Sequence, residues 1–366
     1  MTSTLLKRRA FLASLAVVSL GFTACQSTPP EAPSASTSGS PAASGAASTA
    51  KSASLNGAGA TFPEPLYVRW FSEYNKVNPG VQISYQGVGS GAGVEQYLAG
   101  TVDFGATDSP LKDEEKAKFK AKYGADPIQV PMTAGSVVFA YNLPAVKDLK
   151  LSRAAYCGIA TGKITKWNDP AIAAANAGAT LPDKAIGFVH RSDGSGTTAV
   201  FTTHLKAACP DWTAGANKTV EWPVGTGAKG NPGVTAQVQQ ADGSIGYVEY
   251  SYAKENGVTM AAIENKSGKI IVPSPEAGAL AFEGAELPAD FALKVADPTD
   301  AGAYPITSLT WLLLYPTYKD AAKKEALTSV IDWALTDGKK FSDELGYIPL
   351  PGGVNSKVTE AVTKIQ

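Results

Sequence analysis

The sequence predicts an α/β protein built on open sheets flanked by helices. Three observations carry this. From Leu55 onward, short apolar strand-like runs alternate with longer stretches of helical period, the pattern of open sheets with covering helices. Four glycine-rich loops each precede a helix-like segment. No segment repeats along the chain at the interval of a solenoid.

The elements follow in order. Leu66, Trp70, Phe71, Tyr74 and Val77 share one face of a helix starting after Pro65, since proline suits a first helical turn. Val81 to Tyr85 alternates as a strand. Gly87 to Gly93 then opens a helix through Leu98. Val102 to Ala106 is a short buried strand, and Leu111 to Tyr123 a charged surface helix. Ile128 to Pro131 reads as one strand and Ser136 to Asn142 as a second, longer one. Ile186 to Arg191 is a strand leading into Asp193-Gly194-Ser195-Gly196-Thr197, with a helix through Leu205 behind it. Ile306 to Leu314 is strand-like. Tyr318 to Leu335 is a helix with Ala322, Leu327, Ile331 and Leu335 inward.

Composition narrows the function. The 366 residues carry 32 Lys+Arg against 33 Asp+Glu, a net charge of -1, which argues against a nucleic-acid binder. Two histidines and three cysteines leave little material for a zinc site or a Cys/His nucleophile pair, and His190 and His204 read as packed residues rather than bases. No internal apolar run reaches the roughly 18–20 residues of a membrane helix.

The N-terminus reads as an export signal over residues 1–24. Lys7, Arg8 and Arg9 precede the apolar run Ala10 to Leu20, too short for a comfortable span. Phe22-Thr23-Ala24-Cys25 is similar to a bacterial lipobox, which makes Cys25 the acylated first residue of the mature chain. Arg8-Arg9-Ala10-Phe11-Leu12 also resembles a twin-arginine signal, so both export routes stay open. Cleavage would remove three cations and no acid, taking the net charge from -1 to -4. A lipid then supplies the membrane attachment, with no basic surface required. Residues 25–53 read as a tether. From Gln26 to Ala53 all but Gln26, Glu31 and Lys51 are Ala, Ser, Thr, Pro or Gly, too little apolar surface to offset ordering entropy. Extended, this run reaches roughly 80 Å at about 3.1 Å per residue. Cys157 and Cys209 remain. In an exported chain an even pair favours a disulfide, with two buried free thiols as the alternative.

The four loops are Gly57-Ala58-Gly59-Ala60-Thr61-Phe62-Pro63, Gly87-Val88-Gly89-Ser90-Gly91-Ala92-Gly93, Gly105-Ala106-Thr107-Asp108-Ser109-Pro110 and Arg191-Ser192-Asp193-Gly194-Ser195-Gly196-Thr197. Each joins small residues to a hydroxyl. Glycine lets main-chain N–H groups approach a ligand, and the unpaired N–H groups of a helix start attract an anion. Singly, each is an ordinary cap or tight turn. Together, with one Arg and one Asp, they point to an anion site. The glycine spacing is not the dinucleotide fingerprint, no Walker lysine follows, and no Gly-x-Ser-x-Gly elbow occurs.

These loops, with Pro65, Tyr67 and Trp70, Tyr85-Gln86, Val102-Asp103-Phe104, Gly162-Lys163-Ile164-Thr165-Lys166-Trp167-Asn168-Asp169, Trp222-Pro223-Val224-Gly225, Gly243-Ser244-Ile245-Gly246-Tyr247-Val248-Glu249-Tyr250 and Tyr304-Pro305-Ile306-Thr307-Ser308, resemble the periplasmic phosphate-binding proteins of ABC phosphate transporters (PstS type). The motifs run in the same order over roughly residues 54–345. The resemblance implies a two-lobed periplasmic-binding-protein fold: two open sheets flanked by helices and joined by two crossing strands, with lobe 1 from 54–135 plus 306–366 and lobe 2 from 136–305. It implies that phosphate is held by the Thr61 and Phe62 amides and the Thr61 hydroxyl, by Ser90, by the helix-start donors Ser195, Gly196 and Thr197, by Arg191 and by the Asp108 carboxylate, with Asp193 orienting Arg191. Where many members carry a second Ser or a Gly pair after Ser90, this chain has Gly91-Ala92-Gly93.

A physical mechanism follows. Phosphate at neutral pH keeps a proton and sulfate has none, so an ionised Asp108, kept so by Arg191, accepts from phosphate and repels sulfate. Sites that leave a desolvated group unpaired discriminate by about 10⁴–10⁵. The expectation is therefore a monomeric, non-enzymatic binding protein without cofactor or metal. Exported to the periplasm or cell surface, it binds inorganic phosphate and passes it to the transmembrane subunits of an ABC permease. It touches the membrane through its lipid alone. The alternatives are a surface lipoprotein acting as adhesin or sensor, and a binder of another protonated oxyanion such as arsenate.

Overall fold

The computed structural model describes residues 52–366. The export signal, Cys25 and all but the last two residues of the expected tether lie outside them. The strands are β1 (Ala53–Gly59), β2 (Val81–Gly87), β3 (Phe104–Thr107), β4 (Ile128–Asn142), β5 (Lys150–Leu151), β6 (Gly187–Arg191), β7 (Thr226–Ala228), β8 (Ser244–Glu249), β9 (Thr259–Met260), β10 (Ala262–Glu264), β11 (Ile270–Ile271) and β12 (Thr307–Leu314). The helices that frame the site are α1 (Glu64–Val77), α2 (Ser90–Ala99), α3 (Asp113–Tyr123), α4 (Arg153–Thr161), α5 (Pro170–Ala173), α6 (Gly196–Ala208), α7 (Gly230–Gln240) and α8 (Tyr250–Glu255).

One large sheet runs β2-β1-β3-β12-β4-β8-β6-β7, with β9 also on β4. Its two halves share β4. Residues Ile128 to Ser136 pair antiparallel with β12, and Val137 to Asn142 pair antiparallel with β8. β12 also pairs antiparallel with β3, and β9 with β4, while β1 is parallel to β2 and β3, and β6 to β7 and β8. Parallel strands need crossover helices, which supplies α1, α2, α6 and α7. The first half meets the second again where Val137 N–H donates to the Ile306 carbonyl at 2.8 Å, just before β12.

Sequence reading divided β4 in two, at Pro131 and Gly135. The strand is continuous because its interior is buried on both faces and each half finds a partner. The proline is accommodated by a register shift, between Thr310 and Trp311 on β12, since proline enters a sheet interior at a bulge. The helix expected from Tyr318 starts only at Ala321, where the Asp320 carboxylate caps two amides. Leu55, Phe62, Trp70, Phe104, Val137, Phe139, Tyr247, Trp311 and Ile331 belong to one apolar core spanning both halves. A smaller cluster of Val94, Tyr97, Leu111, Phe119 and Leu313 packs beside α2 and α3. Cys157 on α4 is disulfide-bonded to Cys209 at the end of α6, with Cα atoms 5.5 Å apart.

Candidate functional site

The loops after β1, β2, β3 and β6 converge at the seam between the half-sheets. After β1 the chain turns through Ala60, Thr61 and Phe62 into α1. A tyrosine hydroxyl holds each of the three carbonyls: Tyr85 donates to Ala60 O at 2.7 Å, Tyr252 to Thr61 O at 2.6 Å and Tyr347 to Phe62 O at 2.7 Å. No described peptide bond is cis, and in a trans peptide the N–H points opposite to the carbonyl. Tyr85 and Tyr252 thereby aim the Thr61 and Phe62 amides away from the phenols.

Ser90 begins α2 and is fully buried. Its hydroxyl accepts from the Asp108 amide at 3.2 Å and donates to Asp108 Oδ2 at 3.3 Å. Asp108 follows β3 and is 2% exposed. Its Oδ1 accepts from the Thr310 hydroxyl of β12 at 2.8 Å. Across the seam, Ser195 caps α6, its Oγ accepting from the Thr198 amide at 3.0 Å. A Cβ at Gly196 would lie 2.4 Å from Ser90 Oγ and 2.5 Å from Asp108 Oδ2, so the start of α6 abuts the Ser90–Asp108 pair. The amides of Gly196 and Thr197 occupy the first helical positions, which have no intrahelical acceptor. The Ser195 amide differs: it donates to the Lys218 carbonyl at 2.8 Å, so only the Ser195 hydroxyl remains as a donor.

Arg191 ends β6 and is 4% exposed. Its Nε donates to Asp193 Oδ1 at 2.7 Å, its Nη2 to Asp193 Oδ2, and its Nη1 to Thr197 Oγ1 at 3.4 Å. Burial works to raise the Asp193 carboxyl, but the Arg191 hydrogen bonds and charge and the Gly230 amide outweigh it and hold it below the ordinary range. This corrects one expectation. The guanidinium pairs with Asp193, and it does not keep Asp108 ionised. Burial pushes Asp108 up to about 7, and the Thr310 bond, the Arg191 field and the Ser90 bond only moderate that rise. Near neutral pH Asp108 is therefore not held ionised in the ligand-free protein.

Sequence reading missed Asn231. It sits in the first turn of α7, fully buried. Its amide N–H and Nδ2 both donate to Thr61 Oγ1, at 3.1 and 3.0 Å, and Nδ2 also donates to Thr197 Oγ1 at 3.1 Å. Both hydroxyl oxygens thus accept, and each keeps its own hydrogen to give. The only local signal was the glycine before it. Thr310 and the three tyrosines were missed too. His190 stacks on Trp222 at 5.0 Å, and buried His204 meets the Tyr156 hydroxyl at 3.1 Å.

Thr61, Phe62, Ser90, Asp108, Arg191, Ser195, Gly196 and Thr197 are thus gathered at one seam, with Asp193 behind Arg191. A sheet shared by two halves, with helix starts and hydroxyls meeting at the join, defines the class of ligand-binding proteins that close two lobes on a guest. The model of the PBP superfamily domain matches residues 42–338. The phosphate-binding protein PstS of Pasteurella multocida is 42% identical over 311 residues, 83% of this chain and 88% of that one. That of Methanocaldococcus jannaschii is 38% identical over 336 residues, 85% and 86% of the two chains. The chain belongs to the PstS family of phosphate-binding proteins, and its fold is the two-lobed periplasmic-binding-protein fold. Among solved structures, a high-affinity periplasmic phosphate-binding protein (PfluDING) bound with phosphate has a TM-score of 0.72 at 24% identity, covering 84% of this chain and 93% of that one. A phosphate-binding protein from Stenotrophomonas maltophilia has a TM-score of 0.69 at 21% identity, covering 84% and 94%.

Proposed function

We propose that the seam binds inorganic phosphate for delivery to an ABC permease. The observation that carries this is the polarity of the site. The hydroxyls of Thr61, Ser195 and Thr197, the first amides of α6 and the Arg191 guanidinium offer hydrogens, while the one acceptor is the Asp108 carboxyl. A tetrahedral oxyanion satisfies the donors, and the single carboxyl matches a guest with one proton to share. Arg191 and Asp193 cancel in charge, so the guest's charge is stabilised by fixed dipoles, as at oxyanion sites. With Asp108 ionised, the proton between them comes from the guest. Sulfate brings none and binds only with a proton taken up by Asp108, at a cost that grows as pH rises above about 7.

In this reading Thr61, Phe62, Ser90, Asp108, Arg191, Ser195, Gly196 and Thr197 touch phosphate, and Asp193 orients Arg191. Lobe 1 is 54–135 plus 306–366 and lobe 2 is 136–305. The chain works as a monomer, exported under its first 24 residues and anchored through a lipid on Cys25 at the end of a tether over 25–53. It acts by binding alone: Asp108 is held by Thr310 and Ser90, and Asp193 by Arg191. Titration of ligand-stripped protein with phosphate, arsenate and sulfate tests the reading. Phosphate and arsenate should compete and sulfate should not. Turnover of a chromogenic phosphate ester, or failure to bind orthophosphate, would contradict it.

A further inference from the structure

We propose that Glu249 is a positioning residue for the turn at Thr61–Phe62, acting as the proton donor at the head of a relay through Ser251 and Tyr347 to the Phe62 carbonyl. This rests on the reading that the turn binds phosphate. The argument is a count of hydrogens. The Tyr347 hydroxyl lies 2.7 Å from the Phe62 carbonyl, which can only accept. Ser251 Oγ lies 2.8 Å from the Tyr347 oxygen and is in contact with Glu249 Oε2. Three oxygen–oxygen contacts in series need three hydrogens, and the two hydroxyls supply two. Tyr347 gives its hydrogen to Phe62, so Ser251 gives its own to Tyr347. The third comes from a protonated Glu249. With Glu249 ionised, Ser251 turns to the carboxylate, and two lone pairs face each other between Ser251 and Tyr347.

The surroundings favour the proton. Glu249 has no exposed surface. Among the described residues its Oε1 has no hydrogen-bond partner, and a Cβ at Gly135 of β4 would lie 3.1 Å from it. An unpaired buried oxygen is far costlier when charged. The titratable groups facing the carboxyl are Tyr250 and Tyr252 of α8, Tyr347 and Asp108, with Glu64 of α1 behind Tyr252. The facing side chain of α7 is the neutral Asn231, whose Oδ1 accepts from the Glu249 amide at 3.0 Å. Burial pushes the carboxyl up to about 8. The Ser251 bonds and the Tyr347 contact pull the other way, and the Asp108 charge adds to the rise. The relay runs from the end of β8 to the turn after β1. Losing the proton frees Tyr347 from Ser251 and slackens the turn that aims the Thr61 and Phe62 amides.

The test is calorimetric titration with inorganic phosphate across the pH range around 8, on the full chain, Glu249→Gln and Tyr347→Phe, each corrected for the ionisation of phosphate. The native chain should lose affinity about tenfold as Glu249 ionises, and both variants should lack that step. Infrared spectra of ligand-free Asp108→Asn protein at neutral pH should show a protonated carboxyl band that adding Glu249→Gln removes. A step of equal size in either variant, or no such band, would overturn the proposal. A native chain that binds no phosphate at any pH, with the band present in Asp108→Asn, would overturn the site reading and with it the relay's purpose, while leaving the proton on Glu249 established. Should Glu249→Gln fail to fold, Tyr347→Phe and the infrared spectrum of Asp108→Asn decide.

Discussion

Asn231 and Thr61 meet across the seam through two hydrogen bonds to one oxygen: the Asn231 amide and Nδ2 both donate to Thr61 Oγ1, at 3.1 and 3.0 Å. The same Nδ2 reaches Thr197 Oγ1. One side chain thus leaves two hydroxyls, 136 residues apart in sequence, with only a hydrogen to offer. Asn231→Ala should weaken phosphate binding by roughly 2 kcal/mol, the scale of a buried hydrogen-bonding group left unpaired. Asn231→Asp should weaken it further, by placing an acceptor and a charge there. Calorimetric titration of both variants with phosphate checks this; affinity unchanged in the alanine variant would remove Asn231 from the account.

Asp108 makes the ligand-free protein sensitive to pH. Its folded value of about 7 lies above its ordinary 3.8. Between those values the folded state keeps a proton that the unfolded state has lost, so stability falls as pH rises. The contribution is complete below about pH 4 and gone above about pH 7, a span worth up to about 4 kcal/mol. Asp108→Asn should flatten this slope and melt higher than the native chain at pH 8 when both are stripped of ligand. Equal melting profiles from pH 5 to pH 8 would contradict the burial argument.

Gly196 stands where no side chain fits, since a Cβ would press on Ser90 Oγ and Asp108 Oδ2. Gly196→Ala should fold, because the position opens a helix, yet hold α6 off the first half of the sheet. Phosphate affinity should drop by at least a hundredfold, and small-angle scattering with excess phosphate should give a larger radius of gyration than the native complex.

The bond between Cys157 and Cys209 closes a loop across a sequence separation of 52 residues, at the end of α6 opposite to Ser195. Replacing both cysteines by serine should lower stability by about 2–4 kcal/mol and leave the affinity for phosphate unchanged. Denaturant unfolding and calorimetry separate the two effects.

What was legible in the sequence and what was not divide along physical lines. An anion site at a helix start is written locally, because amides, glycine and a hydroxyl must be neighbours in the chain. The four loops could therefore be picked out together, and the resemblance to the PstS family is what assigned Thr61, Ser90, Asp108, Arg191 and Ser195 to Thr197 within them. The groups that tune them act across the fold. Thr310 is 202 residues from Asp108, and Tyr347 is 285 from Phe62, so no spacing rule connects them. The same limit explains why Asp108 is expected ionised on the sequence: the Arg191 charge is visible there, but the burial that governs the Asp108 proton is not. β4 was hidden differently: Pro131 and Gly135 look like breaks until β12 and β8 are seen to hold either side.

The central claim is that a buried carboxyl reads whether the guest has a proton to share. Its most direct test is competition between phosphate and sulfate at pH 8 for the native protein and Asp108→Asn, both stripped of ligand and followed by calorimetry. The native chain should bind phosphate and ignore sulfate, whereas the asparagine variant should bind phosphate more weakly and admit sulfate. Equal rejection of sulfate by both proteins would contradict the account.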